Sequence, residues 1–370
     1  MTTLALTELT LSHFRSHKLA RISCGPLPVA IYGPNGAGKT NILEAVSLFS
    51  PGRGMRRASA EDMTRRPEAL GWKITGLLQS QEQTHEVEMW SENGNPRSTK
   101  ANSKPVPQNR LAELSRVLWL IPAMDRLWIE GAEGRRRFLD RMALSFFPNH
   151  AEASLTYEKT MRERNKLLKE NVRDPMWYGV LESRLAETGA IIHENRVQTL
   201  DFLRVAQAKA ETPFPTADLE LIHAEDSMPT DSSDLKAAFE ASRFRDLAAG
   251  RTLVGPHRAD LYGVFTAKAV PAKDCSTGEQ KALLISLILA NARALAAQIG
   301  APPILLLDEV AAHLDATRRA ALYAEISALG AQAWMTGTGP ELFDSLSHQS
   351  VHLEVTETDG VSETKTVQDA

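Results

Sequence analysis

With 370 residues, 43% of them apolar, 24% charged and 6% aromatic, the chain is long enough for two domains and too apolar to remain disordered. Its 42 Lys and Arg stand against 46 Asp and Glu, a net charge of −4, so no bulk basic excess draws it to nucleic acid, and such a partner must be held by a local cluster. Cys24 and Cys275 lie outside any CxxC or Cys/His spacing, which excludes a disulfide framework and a zinc site and fits a reducing compartment.

Leu4 and Leu6, then Leu9 and Leu11, alternate with polar or small neighbours at the period of a strand. Glu8, His13 and Arg15 interrupt these leucines before an apolar leader can form, so a cytoplasmic protein without a signal peptide is expected. The apolar run Val29-Ala30-Ile31-Tyr32 enters a glycine-rich turn, after which Ile42, Val46 and Phe49 recur at helical spacing until Pro51-Gly52. Residues from Trp72 to Trp90 alternate weakly and are followed by turn formers from Ser91 to Pro96, which predicts a hairpin or meander. Val117 to Ile121 reads as a strand stopped by Pro122.

From about Arg135 to Arg204 the chain is charged, rich in Leu and nearly free of Gly and Pro, so helices are expected. Tyr157, Met161 and Leu168 form one stripe, and Leu181, Leu185, Ile192 and Val197 another. The two stripes fit an antiparallel helical arm turning near Asp174-Pro175, or an ordinary helical subdomain. A Pro/Ser/Asp-rich passage from Glu211 to Ser233, holding a strand at Leu219 to Ile222, marks the return to the first domain. The stretch Ala282 to Ala290, interrupted by Ser286 and followed by Asn291 and Arg293, falls short of the roughly 18–20 apolar residues that span a bilayer, so no membrane contact is expected. Ile304-Leu305-Leu306-Leu307 reads as a central strand of a covered parallel sheet. The helix after it carries Leu322, Ile326 and Leu329, with Asp315 as its N-cap. The acidic, Thr-rich end from Glu354 onward is expected to fray.

Gly33-Pro34-Asn35-Gly36-Ala37-Gly38-Lys39-Thr40 matches GxxxxGK[ST] between a predicted strand and a predicted helix, the context of a phosphate-binding P-loop. Its glycines let backbone N–H groups converge on phosphate oxygens, Lys39 reaches the β- and γ-phosphates, and Thr40 offers a hydroxyl to Mg2+. Asp308-Glu309 ends the strand at Leu307; the first carboxylate can hold hydrated Mg2+ and the second can polarise an attacking water. Ser276-Thr277-Gly278-Glu279-Gln280-Lys281 opens a long apolar helix and forms a second anion site by the same dipole logic. Arg53, Arg56 and Arg57 follow the P-loop helix, with Arg65 and Arg66 shortly after, and offer a DNA-facing loop of guanidinium groups. Arg135-Arg136-Arg137 could face DNA or pair with nearby acids, and His257-Arg258 receives no role.

The P-loop, the Ser276 to Lys281 signature, the Leu305 to Glu309 strand and the Leu314-Asp315 loop resemble an ABC-type ATPase head of the SMC group. Within that group the chain resembles the RecF family through Phe14-Arg15-Ser16-His17, Gly134 to Asp140, Tyr157-Glu158-Lys159 with Arg164 to Leu168, and Leu253-Val254-Gly255-Pro256-His257-Arg258. The resemblance implies an α/β fold: a P-loop head with a mixed sheet, split by an inserted helical arm. Residues 1–130 would form the head's N-terminal half, 131–206 the arm and 207–370 the C-terminal half. It further implies a slow, DNA-stimulated ATPase whose head-to-head homodimer closes on ATP, each Ser276 and Gly278 touching the γ-phosphate on the partner's P-loop. Glu309 then occupies the catalytic position, and Thr40 and Asp308 the Mg2+ positions. Implied partners are double-stranded and gapped DNA, with RecR and RecO for loading RecA.

Two positions depart from the ABC pattern. Pro122-Ala123-Met124-Asp125 stands where many such ATPases place a Mg2+-linked Gln, and Thr336-Gly337-Thr338-Gly339 replaces the switch His. Both suit an ATP-gated switch better than a fast motor. The competing class is the nucleotide-binding subunit of an ABC transporter, which demands the switch His and a compact head without a helical insertion.

Overall fold

The computed structural model describes residues 4–66, 68–80, 83–92, 94–223, 228–311, 314–346 and 349–367. Asn93 in the expected turn, residues 224–227 in the Pro/Ser/Asp-rich passage and the last three residues of the acidic end lie outside the described residues.

In chain order the first part holds β1 (Ala5–Phe14), β2 (His17–Ser23), β3 (Val29–Tyr32), α1 (Lys39–Ser47), β4 (Trp72–Ser80), β5 (Gln83–Ser91), β6 (Ser98–Ala101), β7 (Lys104–Pro105), α2 (Leu111–Leu114) and β8 (Val117–Leu120). Next come α3 (Ala132–Phe146), α4 (Asn149–Lys169), α5 (Pro175–Ala208), β9 (Ala217–His223), α6 (Ser232–Ala249), β10 (Ala259–Phe265) and β11 (Val270–Pro271). The last part holds α7 (Thr277–Ile299), β12 (Ile304–Leu307), α8 (Ala316–Leu329), β13 (Ala333–Gly337), β14 (Val351–Thr358) and β15 (Val361–Val367). The chain divides into two compact units. One comprises Met1–Asp125, Ala206–Pro215 and Ser276–Ala370, the other Arg126–Val205 and Thr216–Cys275.

The first unit carries two six-stranded sheets. One is antiparallel in the order β2-β1-β4-β5-β6-β7. The other runs β15-β14-β3-β13-β12-β8, with β14, β3, β13, β12 and β8 parallel and β15 antiparallel, so the sheet is mixed as expected. β3, β8, β12 and β13 are buried at every position, the pattern of parallel strands covered on both faces. The Gln332 side chain ties this sheet to the antiparallel one: its Nε2 donates to Leu6 O (3.0 Å) and Gly25 O (2.9 Å), and its Oε1 accepts from Leu6 N (2.8 Å). The shared core includes Leu6, Leu11, Phe49, Ile74, Ile304, Leu306 and Trp334.

α7 is longer and more apolar than its Ala282–Ala290 centre implied: by length and hydropathy it would span a membrane, yet 72% of its most apolar window is buried inside the protein. Ser276 caps it with a reciprocal box to Glu279, and Gly300 closes it in the left-handed conformation.

As far as Val367, the last described residue, the acidic end does not fray. β14 lies parallel to β3, burying Leu353 and Val355, and pairs with β15 through a two-residue turn at Asp359-Gly360, both at positive φ (51° and 75°). Asp-Gly is the favoured dipeptide of such a hairpin, and seven antiparallel partners in β15 with four parallel ones in β3 outweigh the polarity of the exposed faces.

In the second unit α4 and α5 are antiparallel: Arg164 meets Glu182, Tyr157 meets Gly189 and His150 meets Asn195, so one index falls as the other rises. Tyr157, Leu185, Ile192, Leu235 and Phe239 form its core. It is not a purely helical arm, since a three-stranded sheet β11-β10-β9 and α6 complete it. Residues 216–275, grouped by sequence with the C-terminal half of the head, belong to this second unit. β10 is held to α3, where Arg135 pairs with Asp260, and α6 is held to α4 and α5 by a buried charge cluster: Arg164, with no exposed side-chain surface, donates to Glu182 Oε1 (3.0 Å), Asp246 Oδ2 (2.7 Å), Thr252 Oγ1 (2.9 Å) and Phe239 O (3.2 Å). Asn165 Oδ1 accepts from Thr252 N (2.8 Å), and the turn at Gly255 packs under Tyr157, where a Cβ would approach the phenolic oxygen to 2.3 Å. Tyr157 and the segment from Leu253 to Arg258, both quoted for the family, thus meet in the fold through Gly255 and His257.

Candidate functional site

The P-loop leaves the C-terminal end of β3 and winds into α1. Gly33, Gly36 and Gly38 adopt φ of 147°, 85° and 105°, which a side chain would strain. A Cβ on Gly33 would lie 2.0 Å from Val355 O, and one on Gly38 would lie 2.4 Å from Ser362 Oγ and 2.8 Å from Ser16 Oγ. Pro34, Asn35 and Gly36 form the exposed crest, whereas Ala37 and Lys39 are buried. Lys39 Nζ donates to Gly33 O (2.7 Å) and Pro34 O (2.8 Å), folded onto its own loop with one of three protons uncommitted. Burial pulls its pKa down, opposed by Glu309 and Asp308.

The Asp308 carboxylate arrives at the end of β12, where Thr40 Oγ1 donates to its Oδ1 at 3.0 Å. Thr336 Oγ1, at the end of the neighbouring β13, donates to the same oxygen at 2.8 Å and accepts from Glu309 N at 2.9 Å. Burial pushes the Asp308 pKa up, and the hydroxyls of Thr336 and Thr40 pull it back. Glu309 itself has φ 54°, a left-handed conformation uncommon outside glycine. A hydroxyl and a carboxylate oxygen at a P-loop helix are the hard-oxygen donor set that suits Mg2+.

Four residues brace the loop from behind. Arg15 holds the fully buried Glu44 of α1 in a two-pronged pair (2.9 and 2.7 Å). His17, also buried, lies with Nε2 3.1 Å from Gly38 O; a carbonyl only accepts, so this nitrogen carries the proton, while Nδ1 has no partner among the described residues. Burial lowers the His17 pKa despite that bond. Ser362 Oγ sits 2.6 Å from both Ala37 O and Ser16 Oγ, and Ser16 Oγ accepts from Asn41 Nδ2 at 2.7 Å. Ser362 has one proton and Ala37 O can only accept, so the chain runs Asn41 to Ser16 to Ser362 to Ala37. Sequence reasoning missed Ser362 and Asn41, and Thr336 entered it only as a missing histidine.

The structure brings Lys39, Thr40, Asp308 and Glu309 together. Ser276 and Gly278 sit elsewhere in the same unit, exposed at the N-terminus of α7. The Ser276 hydroxyl is engaged with Glu279 (2.8 Å), and nothing lies within 4 Å of where a Gly278 side chain would start. Arg53 and Arg57 are exposed. Arg56, 40% exposed, donates to Asn41 Oδ1 (2.8 Å) and Glu44 Oε2 (3.2 Å) and so leans on α1. Arg65 does not extend the basic loop: it is 4% exposed and donates to Ser16 O (2.8 Å) and Gly360 O (2.7 Å), pinning the tail hairpin. In the second unit Arg135 is paired with Asp260 (2.7 and 2.8 Å) and Arg136 donates to Ala259 O (2.8 Å), so these two are held by the fold, whereas Arg137 is exposed and pairs with the exposed Glu133. His257 accepts from Tyr157 O–H at Nδ1 (2.8 Å) and donates from Nε2 to Thr252 O (3.0 Å).

Residues 5–359 match the family model for the RecF/RecN/SMC N-terminal domain. The chain is 43% identical to the DNA replication and repair protein RecF of Caulobacter vibrioides, over 96% of this chain and 97% of that one. It is 44% identical to that of Rhizobium etli, over 95% and 97%. A solved structure of the recombination mediator protein RecF–ATPrS of the RecFOR pathway superposes with a TM-score of 0.83 at 23% identity, covering 98% of each chain. An Smc head domain from Pyrococcus furiosus gives 0.58 at 16%. At those identities the structural likeness speaks for the fold, an SMC-like ABC ATPase head. The sequence identities, sustained along nearly the whole chain, place this protein in the RecF family.

Proposed function

We propose that the chain is an ATP-gated DNA-binding protein of replication and repair, acting as RecF does. The observation that carries this reading is the convergence of Lys39, Thr40, Asp308 and Glu309 at the ends of β3 and β12. ATP sits on the loop from Gly33 to Thr40, its phosphates met by backbone N–H groups and the N-terminal end of α1. Lys39 leaves the carbonyls of Gly33 and Pro34 for the phosphates, an exchange of acceptors that the freed proton of Nζ allows. Thr40 and Asp308 would hold Mg2+, which neutralises charge developing on the β- and γ-phosphates. Glu309 orients the attacking water and accepts its proton.

Ser276 and Gly278 are exposed at the start of α7, and the Ser276 hydroxyl exchanges its Glu279 carboxylate for the γ-phosphate of a partner head, so ATP closes a homodimer and slow hydrolysis releases it. Arg53 and Arg57, with Arg56 shared with α1, then face the backbone of duplex DNA beside a single-stranded gap. The closed dimer works with RecR and RecO in loading RecA.

Fluorescence anisotropy of a gapped duplex with ATP, with ADP and without nucleotide tests this. Binding is expected to be tightest with ATP and to weaken steeply with salt. Equal binding in all three states contradicts the gate.

A further inference from the structure

We propose that Thr336 is a positioning residue for ATP hydrolysis, its hydroxyl holding the strained backbone from which Glu309 projects. The inference rests on the ATPase reading above. β12 and β13 are parallel neighbours with Leu307 opposite Met335, so the next residue on each strand brings Thr336 beside Asp308. Thr336 is fully buried at this junction. Its hydroxyl has one proton, which goes to Asp308 Oδ1 (2.8 Å), and a lone pair, which receives Glu309 N–H (2.9 Å). One oxygen atom thus couples the side chain of one acidic residue to the main chain of the next.

The coupling matters because Glu309 stands at φ 54°. A side-chain-bearing residue keeps that conformation only when its surroundings over-determine it, and strain of this kind gathers where a reactive group must be aimed. The hydrogen bond from Glu309 N is the fixture that does so here. Thr40 approaches Asp308 from the other side (3.0 Å), so Asp308 keeps one hydroxyl donor when Thr336 is altered, and the P-loop keeps its own bonds. Losing the Thr336 hydroxyl therefore frees the Glu309 backbone entirely, while Asp308 loses one of its two hydroxyl donors and keeps the other.

Thr336→Val conserves shape and buried volume and removes only the hydroxyl. Single-turnover hydrolysis is expected to slow about 10- to 100-fold, as for a misplaced reacting group. ATP affinity should stay within about twofold, because a lost transition-state contact leaves ground-state binding alone. Thr336→Ser should restore most of the rate. Melting curves and ATP titration of each variant report whether the fold is kept. A Thr336→Val protein that hydrolyses ATP at the unaltered rate overturns the inference, as does a Thr336→Ser protein as slow as Thr336→Val, or a loss of ATP binding in either. If the unaltered protein binds ATP and never hydrolyses it, even with duplex DNA, the ATPase reading fails first and the inference falls with it.

Discussion

Ser362, eight residues from the end of the chain, is expected to control nucleotide affinity at a loop more than 320 residues away in sequence. Replacing it by alanine removes the oxygen that links Ser16 Oγ to Ala37 O, both at 2.6 Å. Two hydrogen bonds are lost, each contributing about 0.5–1.5 kcal/mol net. Gly38, adjacent to Ala37, is packed against the same serine and sits at φ 105°, so without the serine the loop keeps the His17 bond to Gly38 O and loses its link to Ser16. A loosened loop must be re-ordered when a triphosphate binds, and that cost subtracts from affinity. Affinity for a fluorescent ATP analogue should therefore fall by about 1–2 kcal/mol, roughly 5- to 30-fold. Ser362→Thr, which retains the hydroxyl, should lose far less. Titration of both variants, with thermal melting to verify that the β14–β15 hairpin survives, decides the matter. An unchanged affinity in Ser362→Ala would refute the idea that this hairpin organises the P-loop.

Acid should destabilise the second unit through His257, whose pKa burial, with Arg258, Arg136 and Arg196, pushes down to about 4 despite the Thr252 carbonyl. The unfolded imidazole titrates near 6.5, so between those values the unfolded chain holds the extra proton; this stability is complete above pH ~6.5 and is lost as pH falls toward 4. Melting temperatures across that range should fall less steeply in His257→Gln, and an unchanged slope would show that the residue is not the sensor. For DNA, Arg53→Glu with Arg57→Glu should weaken ATP-dependent duplex binding and lower the slope of log affinity against log salt by about 2, since two phosphate contacts are removed. An unaltered slope would move the DNA surface elsewhere.

Much of the candidate site was legible because its chemistry is local. A strand, a glycine loop and a helix occupy adjacent residues, so the P-loop could be read directly, as could β12 and the Asp315 cap, whose carboxylate accepts from Arg318 N at 2.8 Å. The hairpin or meander expected at Trp72 to Trp90, from weak alternation and the turn formers after it, is the antiparallel pair β4 and β5. Features closed by distant residues were not legible. Arg164, Glu182, Asp246 and Thr252 each look like ordinary polar residues, and only the folded unit reveals that they neutralise one another in a core, where stripping one partner from a buried ion pair costs about 3–5 kcal/mol. That cluster ties α6 and the Thr252 turn into the second unit, as the Arg135–Asp260 pair ties in β10. The C-terminal hairpin was misread on composition. Its alternating Leu353 and Val355 and its Asp359-Gly360 turn were in the sequence, but charge and threonine content masked them. Thr336 carried no signal of its own, since a hydroxyl in a buried strand gains meaning only from the neighbouring strand's carboxylate.

Sedimentation velocity of the full chain and its Ser276→Arg variant, each saturated with a non-hydrolysable ATP analogue and duplex DNA, bears most directly on the shared-triphosphate gate. The unaltered chain should convert from monomer to dimer on adding nucleotide, while Ser276→Arg, with its P-loop intact, should bind the analogue and remain monomeric. A variant that dimerises normally, or an unaltered chain that stays monomeric when saturated, would contradict a triphosphate clasped between Lys39 of one protomer and the signature helix of its partner.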